Sequence, residues 1–463
     1  MRRGRDAGTG TARLAALPPV RAVPAEDVRA ALAGTPTVVV LDDDPTGTQT
    51  IRDLPVLTRW SAEDVDWALT QGMPAFFVLT NTRSLGPDDA AARDREVVRT
   101  CLAVARRRGI EVVFASRGDS TLRGHFPLET DVIAAEIEGE AGEPDAVILS
   151  PAYTDAGRVT LDGVHWLRDG DQLTPVAESE FAADATFGYR ASRLADWVAE
   201  KSAGAIPAAD VAELGIEALR GGPVALPTAR VVVLDAVVDD DLRAAVLAIL
   251  AAERAGARFV YRVGPSFVRA RVGQEAQAPI GDAELAAAVG TGHGLVVVGS
   301  HVGRTSRQLD RLAERRDLAR VEIDVPRVLD GDTRHLEDAV AEVTTSLARR
   351  TTVLSTSRTL VTGRDEAESL DIARRVSAAL TGVAGRVAGS SAYVLAKGGI
   401  TSSDVATGSL RADRAWVRGS LLPGIVSLWA PTAGPPLVVF AGNVGDDDAL
   451  ADVVDRLEAA ACA

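Results

Sequence analysis

Short runs of apolar, mostly β-branched residues alternate along the chain with longer helical patterns, which is typical of parallel β-sheets covered by helices. The pattern predicts a first series of strands at 37–41, 75–79, 110–115, 146–149, 231–234 and 259–263. It predicts a second series at 295–298, 321–325, 352–355, 392–395 and 437–440, closed by a helix over 447–460. The sequence therefore predicts an α/β protein with two domains, each a mainly parallel sheet flanked by helices.

Regular patterning lapses between the two series, at about residues 270–285. We therefore predict a loose N-terminal tail over 1–22, a first domain over 23–275 and a second domain over 280–463. Within the first domain, Asp162-Gly163 separates two extended runs, and an Asp-Gly pair in that position is typical of a tight β-hairpin. An antiparallel hairpin inserted into the first domain follows from this.

The charge balance limits the partners of the chain. Among 463 residues, Lys and Arg number 50 and Asp and Glu number 65, which gives a formal net charge of −15. A general nucleic-acid binder would need a basic face, and no apolar run approaches the roughly 20 residues of a membrane helix. Two cysteines, Cys101 and Cys462, fit a reducing compartment. We expect a cytoplasmic protein with no nucleic-acid or membrane partner.

Polar and charged side chains are concentrated directly after the first three strands of the first domain, where ligands bind in open α/β sheets. The candidates are Asp43 and Asp44 after the first strand, Arg83 after the second, and Arg117, Asp119, Ser120 and Arg123 after the third. Adjacent carboxylates repel each other unless a cation, a metal or a substrate hydroxyl uses them, and guanidinium groups fit carboxylates and phosphates. Taken singly, each feature is more typical of a capped turn or a surface ion pair than of a ligand site. Taken together, the features favour a ligand site.

The strand ends of the second domain instead carry glycine and hydroxyl residues, at 299–306, 397–404 and 441–446. A glycine loop that leads into a helix presents free N–H groups at the positive end of the helix dipole, which favours phosphate. The loops contain neither a Walker A sequence nor G-x-G-x-x-G, and helix capping is the alternative interpretation. The spacing of the histidines predicts no zinc site.

Five ordered motifs resemble those of the four-carbon acid sugar kinases, the family of D-threonate, D-erythronate and 3-oxo-tetronate kinases. D-D-x-T-G is matched by Asp43, Asp44, Thr46 and Gly47, and D-S-T-x-R-G by residues 119–124. In the second domain, G-S is matched by residues 299–300, K-G-G-x-T-S by 397–402 and G-N-x-G by 442–445. The resemblance extends from about residue 37 to the last helix.

The resemblance implies an ATP-dependent kinase that phosphorylates the terminal hydroxyl of a small, four-carbon sugar acid, with the active site in a cleft between the domains. It implies catalytic roles for Asp43, Asp44 and Lys397, with Asp43 or Asp44 taking the hydroxyl proton. The implied substrate-binding residues are Arg83, Arg117, Asp119, Ser120 and Arg123, and the implied nucleotide-binding residues are Ser300, Gly398, Gly399, Ile400, Thr401, Gly442 and Gly445. Mg²⁺ would bridge the phosphates, and no protein ligand for it is assigned.

Two other functions compete with this one. An NAD(P)-dependent oxidoreductase or isomerase of sugar acids could use the glycine loops, although the dinucleotide fingerprint is missing. A non-catalytic sensor of sugar acid and nucleotide would not need the clustered Asp43, Asp44, Asp119 and Lys397. The identity of the sugar acid and the choice between monomer and homodimer stay open.

Overall fold

The computed structural model describes residues 12–44, 46–358, 361, 363–364 and 366–462. The chain divides into two compact units between Ala276 and Gln277. This division lies inside the region where patterning lapses. Ile51–Arg59 belongs to the second unit, although it precedes most of the first unit in the sequence.

The elements follow in chain order. The strands are β1 Thr37–Asp42, β2 Leu54–Leu57, β3 Ala75–Leu79, β4 Val112–Arg117, β5 Ala146–Ser150, β6 Arg158–Leu161, β7 Val164–Asp169, β8 Gln172–Pro175, β9 Val211–Leu214, β10 Val231–Leu234, β11 Phe259–Val263, β12 Leu295–Val298, β13 Ala319–Ile323, β14 Thr352–Thr356, β15 Val394–Lys397, β16 Arg414–Leu422, β17 Val426–Pro431 and β18 Leu437–Phe440. The helices are α1 Ala25–Ala31, α2 Ala62–Thr70, α3 Pro87–Arg108, α4 Leu128–Ala141, α5 Leu194–Lys201, α6 Ile216–Gly221, α7 Asp239–Arg254, α8 Pro265–Arg271, α9 Asp282–Ala288, α10 Gly303–Arg315, α11 Val325–Leu329, α12 Thr333–Leu347, α13 Glu366–Val387, α14 Gly399–Asp404 and α15 Ala449–Ala461.

The first unit has a parallel sheet in the order β3-β1-β4-β11-β5-β10-β9. The chain leaves β1 toward β3 on one side and returns to β4 on the other, so a crevice opens at the carboxyl end of β1. The register pairs Asp42, the last residue of β1, with Arg117, the last residue of β4. The loops that carry the candidate residues therefore leave the sheet side by side.

A separate antiparallel sheet, β6-β7-β8, is inserted after β5. Asp162 (φ +53°) and Gly163 (φ +68°) form the turn between β6 and β7. Both φ angles are positive, as the tight turns of hairpins require, and Asp and Gly tolerate them. The predicted hairpin is confirmed, and β8 adds a third strand that the pattern did not indicate.

The second unit has a sheet in the order β13-β14-β12-β15-β18-β17-β16-β2. The strands β13, β14, β12, β15 and β18 run parallel to one another. The strands β17, β16 and β2 continue the sheet with antiparallel pairing. Residues 51–59 belong to this compact unit because β2 pairs with β16. The predicted fold class, two mainly parallel sheets flanked by helices, is confirmed.

Part of the predicted loose tail is held against the first unit. Residues 1–11 lie outside the described residues. Leu14 and Leu17 pack against the apolar cluster between the inserted sheet and α6, and Arg220 Nη1 donates to the carbonyl of Pro18 at 2.7 Å. Residues 12–22 are therefore anchored by apolar burial and by a hydrogen bond.

Local sequence signals account for several helix ends. Ser61 and Asp64 form a reciprocal capping box at the start of α2, as their spacing predicts. Gly109 ends α3 at φ +64°, directly after three arginines that suit the negative end of the helix dipole. Among the described helices, none combines the length and the apolar character needed to cross a membrane.

Candidate functional site

The first site lies at the carboxyl ends of β1, β3 and β4, where acidic and basic side chains alternate. Asp42 is buried and accepts a hydrogen bond from Arg117 Nε at 2.7 Å, and Arg117 Nη2 also contacts it. Arg117 Nη2 further donates to the Asp44 carbonyl at 3.0 Å. Burial raises the pKa of Asp42 to about 7, against the lowering effect of Arg117. The Arg117 guanidinium thus holds the loop after β1 through hydrogen bonds to the Asp42 side chain and the Asp44 carbonyl.

Asp43 and Asp44 differ sharply in their surroundings. Arg83 Nη2 lies 2.5 Å from Asp44 Oδ2, and the Thr46 amide donates to Asp44 Oδ1 at 2.8 Å. Burial alone would raise the pKa of Asp44, but the positive charges of Arg83 and Arg117 hold it below its usual value. Asp44 is therefore an ionised carboxylate that is engaged on both oxygens.

Neither carboxylate oxygen of Asp43 has a hydrogen-bond partner within the described residues, although the side chain is 2% exposed. The guanidinium groups of Arg83 and Arg117 lie 3.6 Å and 3.5 Å from its Oδ1. Burial raises the pKa of Asp43, and the two arginines oppose that shift. A buried acceptor without a donor is costly, and Asp43 carries two such oxygens within the described residues.

The loop after β4 completes the cluster. Arg123 Nε donates to Asp119 Oδ2 at 2.6 Å, and Arg83 Nη1 lies 3.7 Å from Asp119 Oδ1. Burial would raise the pKa of Asp119, but the two arginines lower it to about 2. Leu122 at φ +69° and Gly124 at φ +123° turn the loop back over the end of the sheet. The structure thus brings together the six charged first-domain residues that the sequence indicated: Asp43, Asp44, Arg83, Arg117, Asp119 and Arg123.

Two further residues in this cluster escaped the sequence analysis. Arg262, on β11, donates to the Arg123 carbonyl at 3.2 Å, and a β-carbon on Gly118 would lie 1.3 Å from its Nη1. Glu129, on α4, accepts from the hydroxyls of Thr82 and Ser116 at 2.7 Å and 2.8 Å. A charged residue inside the otherwise apolar strand 259–263 was the available signal for Arg262.

The inserted sheet supports the loop after β4. His165, fully buried on β7, donates from Nε2 to the Ser120 carbonyl at 2.8 Å and accepts at Nδ1 from the Thr160 hydroxyl at 3.0 Å. The hydroxyl of Tyr189 donates to the Thr121 carbonyl at 2.6 Å. One side chain from the inserted sheet and one from the segment after β8 therefore set the backbone position of the residues on either side of the Ser120–Thr121 bond.

The neutral state of His165 should make stability depend on pH. Burial lowers its pKa from 6.5 to about 4, so between these values the unfolded chain binds a proton that the folded chain does not. Stability therefore falls as the pH drops from 6.5 toward 4, and we expect His165 to account for about 2 kcal/mol of loss between pH 7 and pH 5. Urea unfolding of the wild type and of His165→Gln at both pH values measures this contribution. Equal losses in the two proteins would show the prediction to be wrong.

The second site is formed by three strand-end loops of the second unit, after β12, β15 and β18. Gly398 follows β15 at φ +121°, and a β-carbon there would lie 3.1 Å from Ser300 Cβ. A β-carbon on Gly442 would lie 2.8 Å from Ser300 Oγ. The Thr305 hydroxyl, on α10, donates to the Gly442 carbonyl at 3.0 Å. Only glycine lets these backbones approach so closely, which leaves room for a ligand beside exposed amides.

A cavity of about 580 Å³ opens at these loops. Ten of its lining residues come from the loops themselves: Gly299, Ser300, His301, Val302, Gly398, Gly399, Ile400, Thr401, Gly442 and Asn443. Outside the loops, its apolar lining residues are Val325, Val361, Ile372, Ala373, Val376 and Leu380. Ile400 is 66% exposed although it is apolar. A volume in this range and a mainly apolar lining with a few polar groups are typical of small-molecule sites.

Of the predicted nucleotide-site residues, Gly445 does not line this cavity, and neither does Lys397. Gly445, at φ +77°, turns the loop before α15. Lys397 is fully buried, its Nζ donates to the Ala441 carbonyl at 2.6 Å and lies 3.7 Å from the centre of the Phe440 ring. Burial lowers the pKa of Lys397 to about 7, and Arg304 adds to the shift. The Lys397 ammonium group thus holds the loop that follows β18.

The sequence analysis also missed charged residues around the cavity. Arg358, after β14, donates to the Ser300 carbonyl at 2.7 Å and to the Ser306 hydroxyl at 2.8 Å. Arg304, on α10, donates to the carbonyls of Asn443 and Gly445 at 3.0 Å and 3.1 Å. Asp404, at the end of α14, lines the cavity. Each lies within a few residues of a singled-out loop or strand, but single-sequence spacing does not show which loops meet.

Two solved structures share the fold of this chain. A search of curated proteins found no match. A Salmonella typhimurium LT2 protein named as a proposed tRNA synthase superposes with a TM-score of 0.64 at 19% identity, covering 91% of this chain and 98% of its own. Haemophilus influenzae protein HI1011 superposes with a TM-score of 0.62 at 16% identity, covering 91% of this chain and 100% of its own. At these identities the likeness concerns the fold alone.

Family models supply the assignment. The model of a sugar-binding N-terminal domain matches residues 38–271, and that of a nucleotide-binding C-terminal domain matches residues 295–450. The first range holds the carboxylate and arginine cluster, and the second holds the glycine loops and their cavity. With the five motifs in order, the two matches show that the chain belongs to the four-carbon acid sugar kinase family.

Proposed function

We propose that this protein transfers the γ-phosphoryl group of ATP to the terminal hydroxyl of a small sugar acid. The observation that carries the proposal is Asp43, a buried carboxylate with no hydrogen-bond donor in the described chain and a guanidinium group on either side. A sugar hydroxyl is a donor that such a carboxylate can accept, and proton removal makes its oxygen a better nucleophile.

The neighbouring residues have distinct roles in this proposal. Arg83 and Arg123, whose side chains are partly exposed, bind the carboxylate of the sugar acid together with Ser120. The side chain of Arg117 is instead buried against Asp42. Asp44 and Asp119 orient Arg83 and Arg123. A substrate with one carboxylate and several hydroxyls matches a cluster of this mixed charge.

In the second unit, the backbone amides of Gly399–Thr401 and the Ser300 hydroxyl bind the phosphates of ATP, and Lys397 is a positioning residue. The Gly398 amide instead donates to the Phe440 carbonyl at 2.8 Å. Phosphoryl transfer requires mainly positioning and charge neutralisation, so no covalent enzyme intermediate is needed.

The nucleotide substrate is the Mg²⁺ complex of ATP. Within the described residues, no three His, Cys, Asp or Glu side chains are grouped so that they could hold a metal ion. Magnesium bound to nucleotide phosphates commonly keeps several waters and few protein ligands, which fits this arrangement. A cytoplasmic location and the oligomeric state stay predictions.

ADP release from MgATP tests the proposal. The acceptors are D- and L-threonate, D- and L-erythronate, their 3-oxo forms and longer aldonates, each compared with MgATP alone. We expect turnover with at least one four-carbon acid and none without an acceptor. Failure of every acceptor to stimulate ADP release would contradict the proposal.

A further inference from the structure

The residues that line the cavity at the glycine loops can be ordered by their position along α13. Leu380 lies at the loop end, because a β-carbon on Gly299 would be 3.2 Å from its Cδ2. Ser377 precedes Leu380 by almost one helical turn, and Ala373 by almost two. At 1.5 Å per residue these positions lie about 4.5 Å and 10 Å from Leu380 along the helix axis. The lining therefore changes with distance from the loops.

Asp404 lies beside Ser377, between the loop end of the cavity at Leu380 and the more distant Ala373. It accepts a hydrogen bond from the Ser377 hydroxyl through Oδ2, and it is the one acidic residue among the described residues that line the cavity. It ends α14, which begins at the glycine loop, and a π-helical turn, Val405–Ser409, follows it. Such turns occur frequently at functional sites. The side chain thus faces the ligand space, fixed by one hydrogen bond and with acceptor capacity left.

Beyond Asp404 the lining is mainly apolar. Val325, Val361, Ile372 and Ala373 line this part together with Ser369, whose hydroxyl accepts from the Gly363 amide at 3.0 Å. Thr356 lies at the loop end instead, because Ser355 pairs with Val298 of β12. A mainly apolar compartment is suited to the flat ring system of a nucleotide base.

A nucleoside triphosphate presents its parts in the same order: phosphates, then a sugar with two adjacent hydroxyls, then a base. With the phosphates at the glycine loops and the base in the apolar compartment, the sugar lies at the level of Asp404. We propose that the Asp404 carboxylate binds the ribose hydroxyls and makes the cavity selective for ribonucleotides over 2′-deoxyribonucleotides. This inference rests on the proposed function, because it takes ATP as the ligand.

The selectivity arises because an oxygen of the Asp404 carboxylate would lose its hydrogen-bond donor. A carboxylate that accepts two hydroxyl groups loses one donor when the 2′-hydroxyl is absent, and hydrogen bonds to charged groups are among the strong ones. We expect 2′-deoxyATP to bind about tenfold or more weakly than ATP.

Isothermal titration of the full-length protein with ATP and with 2′-deoxyATP tests this selectivity. For the wild type we expect the tenfold or greater preference for ATP. In Asp404→Asn the preference should fall below about threefold, and in Asp371→Asn, an exposed acid on α13, it should stay as in the wild type. Ser377→Ala, which frees the Asp404 side chain, should show an intermediate preference and serves if Asp404→Asn does not fold.

Two results would overturn the inference. Equal affinities of the wild type for ATP and 2′-deoxyATP would do so while leaving the nucleotide site intact. An undiminished preference in folded Asp404→Asn would assign the selectivity to other residues. If the wild type binds neither nucleotide, the proposed function fails as well, so the two failures are distinguishable.

Discussion

Replacing Asp43 by Asn should lower kcat about 100- to 10,000-fold, the range associated with a general base. The substitution keeps the shape of the side chain but removes the acceptor that would take the hydroxyl proton. The affinity for MgATP should change little, because the glycine loops of the second unit would bind it. Steady-state kinetics with the preferred sugar acid, together with titration of MgATP, measures both effects.

Two control variants test whether the loss of kcat is specific to Asp43. Asp66→Asn removes an exposed carboxylate of α2 that pairs with Arg108, and it should leave kcat unchanged. Asp44→Asn removes the partner of Arg83, so it should act mainly on KM for the sugar acid. If Asp43→Asn kept the wild-type kcat, Asp43 would not be the base.

The pH profile gives an independent readout. Burial raises the pKa of Asp43 above the usual value near 3.8, and a general base works only when it is ionised. On the acidic side, kcat/KM should therefore fall at a higher pH than an ordinary aspartate would produce. This limb should be absent from the residual activity of Asp43→Asn.

The parallel part of the fold was predictable because its strands are continuous apolar runs. Val231–Leu234 and Leu437–Phe440 begin and end where the pattern placed them, since strands buried on both faces admit few polar residues. The antiparallel strands of the second unit lack that signature. Arg414–Leu422 carries arginine, glycine and serine, and the short Leu54–Leu57 contains a proline.

The candidate site was predictable only where chemistry is local in sequence. Ligands bind at the carboxyl ends of parallel strands, and neighbouring parallel strands end at one edge of the sheet. This rule predicts that Asp43, Arg83 and Asp119 lie close together. The rule does not indicate residues that lie within a strand, such as Arg262, or at the end of a helix, such as Asp404. It also cannot show that Lys397 would turn inward to hold a carbonyl. Those placements depend on packing between elements that are distant in the chain.

Replacing Gly398 by Ala should weaken MgATP binding at least about tenfold. The residue has φ +121° and ψ 142°, a combination that residues with a β-carbon rarely adopt, and such strain costs about 1–3 kcal/mol. The new methyl group would also lie 3.0 Å from Thr401 Oγ1 and 3.1 Å from Ser300 Cβ. The loop would have to shift, and its amides would no longer point at the phosphates.

Gly382→Ala is the matched control for this variant. Gly382 lies within α13, and a β-carbon there would meet no heavy atom within 4 Å, so alanine should stabilise the helix slightly. Titration with MgATP should show wild-type affinity for Gly382→Ala and the loss for Gly398→Ala, while the sugar acid binds both alike. An affinity of Gly398→Ala within twofold of the wild type would mean that the phosphates do not depend on this loop. In that case the cavity would bind its ligand through the apolar wall and Asp404, and the phosphate-binding role of the K-G-G-x-T-S segment would be wrong.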